Sequence, residues 1–296
     1  MKGLFTFYLL LFATMASVDV NAQSFYSFRR DRDFLLTFGT GATSYLGELS
    51  TKGQFGDIKP NILVGGEYFV TDRISTGLDL AWFKIGASDA DAKDDRKERN
   101  LSFTSSCVEL AFTGNIYLVP QGVRFYQRPK LNPYFFAGVG MIYMNPTTID
   151  SLGRKQALQP LMTENVKYSK FQFVVPFGFG LKIKVNPFIN LVLEGGYRKT
   201  FTDYLDDVSS TRYVKLEDLI VQSATARELS DRRQGKNAPR NDEQRPIKGR
   251  RGNPGADDNY FMLNVKIQYY LPNQVFKGTA QRKLYRSKRK MYYKRR

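Results

Sequence analysis

The sequence contains no histidine and a single cysteine among its 296 residues. Without histidine a Ser-His-Asp triad cannot form, and the side chain that most often serves as general base or metal ligand is missing. The lone Cys107 excludes an internal disulfide and a cysteine-based zinc site. We therefore expect a protein that is not an enzyme, binds no cofactor and has no small-molecule substrate.

Acidic residues are also scarce, with 28 Asp and Glu against 45 Lys and Arg, which gives a net charge of +17. A basic excess of this size favours contact with anionic surfaces or acidic partners. Aromatic residues are plentiful instead, with 23 Phe and 18 Tyr. This composition is typical of strands and turns rather than of helices.

Long apolar runs are missing after the first residues of the chain. Lys2, the apolar run Leu4–Ala13 and the small-residue pattern Val20-Asn21-Ala22 are typical of a secretory signal peptide. A membrane anchor is the alternative, but the run is shorter than the ~20 residues that a spanning helix needs. We predict a signal peptide at residues 1–22, with cleavage near Ala22. A mature chain of this kind can span a membrane only as a β-barrel.

Alternation of apolar and polar residues, the period of a strand, recurs in eight segments between residues 33 and 270. The predicted strands are Asp33–Leu46, Pro60–Val70, Ile74–Ile85, Leu101–Leu118, Pro133–Asn145, Tyr168–Lys184, a strand that begins at Leu191, and Asn259–Tyr270. Long loops and short turns alternate between them, as in an outer-membrane barrel with both termini in the periplasm. The sequence therefore predicts an all-β fold: an eight-stranded antiparallel outer-membrane β-barrel with long surface loops.

One face of these strands carries charged residues, which distinguishes this barrel from a lipocalin-like barrel in water. A water-soluble barrel places charges outside and apolar groups inside. The predicted interior polar set is Glu67, Asp79, Glu109, Lys182, Glu194, Arg198 and Lys266. Because a barrel of eight strands is filled by side chains, these charges are expected to pair as a structural core, Glu194 with Arg198 among them. A solute pathway is the alternative.

The seventh strand runs into an acidic loop that contains Asp203, Asp206 and Asp207. Carboxylates of this density could hold Ca²⁺, although their spacing differs from that of a known calcium loop. A solvated loop, or pairing of the carboxylates with Arg198 and Lys199, is the simpler interpretation. We expect no metal site.

A long surface insertion at residues 209–257 follows this loop. Its first part, Lys215–Arg232, has apolar residues at helical spacing, and its second part, residues 233–257, has the polar composition of a disordered segment. A basic tail at residues 271–296 ends the chain, with ten Lys or Arg and no acid. We expect the tail to lie in the periplasm and to bind a partner through Lys283, Arg286, Lys288, Arg289 and Lys290. An exported chain has little contact with nucleic acid, so we expect an anionic lipid surface, the cell wall or an acidic protein as its ligand.

Several segments resemble, in order, the PorG-like outer-membrane proteins of the type IX secretion system. They are Asn100-Leu101-Ser102-Phe103, Pro133-Tyr134-Phe135-Phe136-Ala137-Gly138-Val139-Gly140, Leu158-Gln159-Pro160-Leu161, Pro176-Phe177-Gly178 and the run from Glu194 to Val208. That run is the strongest piece, and it contains the family-motif loop Thr200, Phe201, Thr202, Asp203, Tyr204, Leu205, Asp206 and Asp207. The resemblance as a whole extends over roughly residues 33–270.

The resemblance implies a non-enzymatic barrel in the outer membrane that serves the type IX secretion and gliding motility machinery. It also implies outer-membrane lipid and a periplasmic ring of PorK-like and PorN-like proteins as partners. The long insertion and the extended basic tail depart from the family pattern. Two other functions remain open: a general OmpA-like or OmpX-like surface barrel for adhesion or envelope stability, and a small-barrel enzyme acting on lipid.

Overall fold

The computed structural model describes residues 34–47, 49–50, 58–91, 96–122, 127–215, 217–233 and 251–271. The predicted signal peptide and the predicted basic tail lie outside these residues, apart from Leu271. No helix in the described part of the chain is both long and apolar enough to cross a membrane.

Eight long strands account for most of the described residues, each 11 to 16 residues in length. They are β1 (Phe34–Leu46), β2 (Lys59–Phe69), β3 (Ile74–Ser88), β4 (Ser102–Tyr117), β5 (Leu131–Tyr143), β8 (Phe171–Lys184), β9 (Ile189–Thr200) and β10 (Asn259–Leu271). Two short strands, β6 (Pro146–Ile149) and β7 (Lys155–Ala157), form a hairpin between β5 and β8. The alternating sequence pattern predicted all eight long strands, with ends that differ by a few residues.

The long strands close into a barrel. Their order is β3-β2-β1-β10-β9-β8-β5-β4, and pairing of β3 with β4 joins the two ends. Every pair is antiparallel; Phe38, for example, lies opposite Ile267 on β10 and Val64 on β2. The predicted eight-stranded antiparallel barrel is confirmed.

The outward face of the barrel is apolar. Leu110 and Phe135 are 50% and 58% exposed, and large apolar residues occupy the outward positions of every long strand. Alternating apolar-out and polar-in strands are the signature of a barrel whose outside is solvated by lipid. The apolar outward face, which would be costly to expose to water, is therefore the face expected to contact lipid.

The two ends of the barrel differ. At one end, which we call the short-turn end, Val70–Arg73 joins β2 to β3 and residues 185–188 join β8 to β9. Phe34 and Leu271, the outermost described residues, also lie at this end, opposite each other. At the opposite end, which we call the loop end, the long connections pack into a buried apolar cluster with the barrel wall; it includes Leu49, Leu101, Leu158, Leu205 and Leu229.

Local structure in the long connections departs from the sequence-based expectation. The hairpin of β6 and β7 was expected to be loop, because its strands are too short to show a period. Within Lys215–Arg232, where the sequence shows helical spacing, the described helix covers only Ala224–Ser230. Ser223 caps its N-terminus by accepting a hydrogen bond from Ala226 N. Residues 251–257, expected to be disordered, are ordered, and Arg251 is fully buried. Residues 234–250 lie outside the described part of the chain.

Candidate functional site

The charged residues of the predicted interior set all lie inside the barrel. Six of them are buried, and Asp79 is half-buried. They form three groups stacked between the short-turn end and the loop end. An unpaired charge in such an interior is costly. The partners of each group therefore indicate whether the charges form a structural core or line a solute pathway.

Glu67 on β2 is the centre of the group nearest the short-turn end. Lys182 Nζ lies 3.0 Å from its Oε2 atom. Ser75 Oγ and Gln268 Nε2 donate to its carboxylate at 2.6 Å each, and the Tyr117 hydroxyl donates as well. The Lys182 ammonium also lies 4.6 Å from the centroid of the Tyr117 ring. Donors from β3, β4, β8 and β10 thus converge on one carboxylate of β2, which fastens five strands together.

Lys266 on β10 is the centre of the middle group. Its ammonium lies 2.7 Å from Glu194 Oε1 and 3.0 Å from Asp79 Oδ2. The Tyr134 hydroxyl donates to the other oxygen of Glu194 at 2.6 Å. One lysine therefore bridges two carboxylates from β3 and β9.

The third group contains Arg198 and Glu109. Arg198 Nε lies 3.9 Å from Glu109 Oε1, its Nη1 donates to Gly196 O at 2.7 Å, and the Tyr260 hydroxyl donates to Glu109 at 2.6 Å. The expected Glu194–Arg198 ion pair is wrong. Residues four apart on one strand are separated by about 13 Å along it, so both side chains pair with groups on other strands.

Arg128 supplies a cation that the sequence pattern did not indicate. It lies in the β4–β5 connector and is buried at the short-turn end, where it donates to Asn190 Oδ1 and to the backbone oxygens of Asn186, Pro187 and Ile189. Its guanidinium stacks on the Tyr270 ring at 4.7 Å. With Arg128, the described residues place four buried cations in the barrel against the four carboxylates of the interior set. The connector has no strand period, so only the fold shows that this arginine turns inward.

Little space remains between these groups. The cavity beside Arg198, Asn264 and Lys266 has a volume of about 20 Å³, which is room for about one water molecule. Neither the amide nitrogen nor the amide oxygen of the buried Asn264 bonds to a described protein group, and the residue lines this cavity. Around this cavity the described side chains pack as a polar core, which favours the structural interpretation of the interior set.

Replacing Asn264 by leucine is expected to lower the free energy of unfolding by less than about 1 kcal/mol, because its amide makes no hydrogen bond to a described protein group. Asn115 is the matched control. Its amide donates to Ser75 Oγ at 2.9 Å, so Asn115→Leu is expected to destabilise the barrel. Denaturant unfolding of both variants in lipid vesicles measures the difference, and equal losses would contradict this assignment.

The family-motif loop lies at the loop end and its acids are buried, so the expectation of a solvated loop is wrong. Thr200 ends β9, and its hydroxyl donates to Asp258 O. The Tyr45 hydroxyl lies between Asp206, at 2.8 Å, and Asp258. Leu205 N donates to the second oxygen of Asp258 at 3.0 Å. The loop is thereby fixed to the first strand of the barrel and to the residue preceding β10.

Asp207 fixes the same loop to the β5–β8 connection. It accepts hydrogen bonds from the Thr163 hydroxyl at 2.5 Å and the Tyr168 hydroxyl at 2.7 Å, and the Tyr168 ring stacks on Tyr204 at 4.9 Å. Of the other loop residues, Thr202 and Asp203 are buried, whereas Phe201 is exposed beside Phe173 on the outer wall.

The loop carboxylates do not pair with the two basic residues that precede them. Lys199 binds Asp257 at 2.7 Å and Arg198 binds inside the barrel. In the described part of the chain, no three acidic, cysteine or histidine side chains come close enough to hold a metal ion.

Arg251 closes the loop end. Its Nε donates to Glu164 Oε1 at 2.7 Å, its Nη1 to Ser230 O at 2.8 Å and its Nη2 to Thr163 Oγ1 at 3.1 Å. Glu164 also accepts the backbone N–H of Ser209. One buried arginine thus joins the β5–β8 connection to both ends of the insertion. We call this assembly, residues 163–168, 202–209, 251 and 258, the cap.

Burial raises the pKa of Asp207 to about 6 and that of Asp203 to about 6. In the opened loop both carboxyls would titrate near 3.9, so the closed cap binds more protons between about pH 4 and pH 6. Stability of the cap is therefore fully present below pH 4 and falls as the pH rises through 6.

Backbone amide exchange of residues 202–209, corrected for intrinsic rates, is expected to show stronger protection at pH 5 than at pH 7.5. Asp207 has φ of +70°, a conformation that asparagine tolerates, so Asp207→Asn is the suitable variant. This variant is expected to lose about half of the pH dependence of amide protection, because one of the two titrating carboxyls is removed. Amide protection that does not depend on pH would contradict the raised pKa values of Asp203 and Asp207 in the closed cap.

The residues of the proposed partner-binding tail, Lys283, Arg286, Lys288, Arg289 and Lys290, lie outside the described part of the chain. Their role stays a prediction.

Comparison with solved structures finds similar barrels at low sequence identity. Neisserial surface protein A is 8% identical, with 81% of this chain and 97% of that chain covered and a TM-score of 0.42. The N-terminal β-barrel domain of Pseudomonas aeruginosa OprF is 10% identical, with 81% and 98% covered and a TM-score of 0.38. Ail, the attachment invasion locus protein of Yersinia pestis, is 8% identical, with 81% and 99% covered and a TM-score of 0.39.

A search of curated protein sequences gave no match. The model of the family described as "Outer membrane protein beta-barrel domain" matches residues 8–215, which is more than half of the chain. The matched region includes seven of the eight long strands, and β10 closes the barrel beyond it. The chain therefore belongs to the outer membrane protein beta-barrel domain family.

Proposed function

We propose that this protein is a structural and docking component of the type IX protein secretion and gliding motility machinery in the outer membrane. The observation that carries the proposal is the family-motif loop, whose residues build the cap. The choice of the type IX machinery rests on the ordered motifs that resemble PorG-like proteins. The packed, charge-balanced interior supports a scaffold rather than a conducting pore.

In this proposal both chain termini lie in the periplasm and the cap faces the cell exterior. The basic tail, residues 271–296, then projects towards the periplasmic ring of PorK-like and PorN-like proteins. Its ten basic residues and the absence of acid suit an acidic protein surface.

Secretion of cargo by a deletion strain tests the proposal. Loss of secreted cargo, restored by the intact gene, is the expected result. Unchanged secretion would overturn the proposal and favour a general OmpA-like or OmpX-like surface barrel for adhesion or envelope stability. Hydrolysis of lipid by the purified protein would instead revive the enzyme interpretation.

Deletion of residues 277–296 tests the role of the tail separately. If the tail is the contact, ring components are recovered with the full-length barrel and lost with the truncated one. Equal recovery with both proteins would remove the tail from the proposal without affecting the secretion role.

A further inference from the structure

The apolar band on the outside of the barrel ends sharply where β3 pairs with β4. Trp82 on β3 lies opposite Val108, which in turn lies opposite Tyr143 on β5, and these outward side chains are 37% to 42% exposed. The next outward pair towards the loop end is Lys84 with Ser106. In a membrane barrel, a row of aromatic residues followed by polar residues lies at the level of the lipid headgroups. Lys84 and Ser106 are thus placed at that level.

Beyond this pair the outward face of β3 and β4 is uncharged. Its side chains are those of Ser88, Ser102 and Thr104, with Gly86 opposite Thr104. Lys84 is exposed, and no ion pair joins it to a carboxylate of the described residues. A surface lysine with no acid on its own strand face creates a positive potential that attracts an anion.

Trp82 holds the polar groups of this face in place. Its indole Nε1 donates to Ser106 Oγ at 3.1 Å, and Lys84 Nζ lies 5.7 Å from the centroid of its ring. A serine hydroxyl that accepts a hydrogen bond keeps its own proton for a second partner. The exposed Thr104 lies two residues further along the same face of β4. One ammonium and two hydroxyls therefore offer donors to a ligand outside the barrel wall.

We propose that Lys84, Ser106 and Thr104 bind the phosphate group of an outer-leaflet lipid. Phosphate has several acceptor oxygens, which match the three donors, and lysine binds phosphate as a point charge. The acyl chains of the same lipid pack on Trp82 and on the apolar residues that precede it along the barrel wall.

Position selects a lipid over a soluble anion. The donors begin one residue pair beyond side chains that face lipid, so a headgroup reaches them while its chains stay in the membrane. A soluble anion gains nothing from the apolar wall. The outer leaflet follows from the orientation proposed for the barrel, with the cap outside, whereas the phosphate site does not depend on the secretion role.

Trp82 is the single tryptophan of the chain, so its fluorescence reports on this site alone. The full-length protein is placed in phosphatidylcholine nanodiscs that contain a small fraction of lipid with brominated acyl chains, which quench tryptophan on contact. The brominated lipid is either phosphatidic acid, whose phosphate is free, or phosphatidylcholine, whose phosphate carries a choline cation. At the same mole fraction, brominated phosphatidic acid is expected to quench Trp82 with about fivefold higher efficiency.

Variants locate the lipid. Lys84→Gln is expected to bring the ratio of the two quenching efficiencies down to about one, and Lys84→Arg is expected to preserve it. Thr104→Val is expected to lower the ratio by about half. Lys130→Gln, at an exposed position of the short-turn end, is the matched control and is expected to leave the ratio unchanged. Because each ratio is taken within one variant, changes in the intrinsic fluorescence of Trp82 cancel.

Three results would overturn the lipid site. The first is equal quenching of wild type by the two brominated lipids. The second is a loss of preference as large for Lys130→Gln as for Lys84→Gln, which would show a general effect of surface charge. The third is removal of the preference by excess inorganic phosphate at constant ionic strength, which would show a site for free phosphate. Heat-dependent electrophoretic mobility, measured on every variant, establishes that each barrel is folded.

Discussion

Replacing Lys182 by methionine is expected to destabilise the barrel by about 3–5 kcal/mol, because it leaves the carboxylate of Glu67 buried without a counter-charge. The residual donors Ser75, Tyr117 and Gln268 are neutral, so they solvate the carboxylate without neutralising it. Equilibrium unfolding by guanidinium chloride in lipid vesicles measures the loss. If the free energy of unfolding depends on guanidinium concentration with the same slope as in wild type, the variant changes stability and not the extent of unfolding.

Two further variants separate the buried pair from charge in general. Glu67→Gln combined with Lys182→Met removes both charges and is expected to recover most of the loss. Lys199→Met breaks the partly exposed pair with Asp257 and is expected to cost less than about 1 kcal/mol. Similar losses for Lys182→Met and Lys199→Met would contradict the role of Glu67 as the point where five strands are joined.

Arg251→Met is expected to open the cap, with a local loss of about 3 kcal/mol, because Glu164 then stays buried with only backbone donors. The barrel strands do not depend on Arg251, so global unfolding is expected to change little. Hydrogen exchange of residues 202–209 and limited proteolysis after Ser230 measure the local opening.

Arg227→Met is the matched control for Arg251→Met. Arg227 lies on the same insertion but is exposed and donates only to Gln222 in the described structure. Its replacement is expected to change protection of residues 202–209 by less than about 0.5 kcal/mol. Equal effects of the two substitutions would show that Arg251 does not hold the cap closed.

Strand positions could be predicted from the sequence because their signal is local. In a strand with lipid outside and polar groups inside, residues such as Leu193 and Glu194 alternate directly along the chain. The same pattern assigned Glu67, Asp79 and Lys266 to the interior. Which of them pair could not be predicted, because pairing joins strands far apart in sequence; Lys182 and Glu67 are separated by 115 positions.

The cap could not be predicted either. Composition alone made residues 233–257 resemble a disordered segment, but Arg251 is ordered by Glu164, a residue 87 positions away. Arg128 likewise lies in a connector without periodicity, and its partners are carbonyls of the β8–β9 turn. Arg251 and Arg128 each donate to buried acceptors that lie far away in the sequence and are close in space only in the folded barrel.

The scarcity of cysteine provides the most direct test of the central claim, that the outward face of the barrel lies in lipid. Cys107 is buried, so a Cys107→Ser background accepts single cysteines at Leu110, Val139 and Leu263, which are all outward and about half exposed. Spin labels at these sites, in lipid vesicles, are measured for collision with oxygen and with a water-soluble nickel chelate. Strong collision with oxygen and little with nickel is predicted, with Leu152→Cys showing the reverse. Equal access of nickel to all four sites would contradict the membrane barrel.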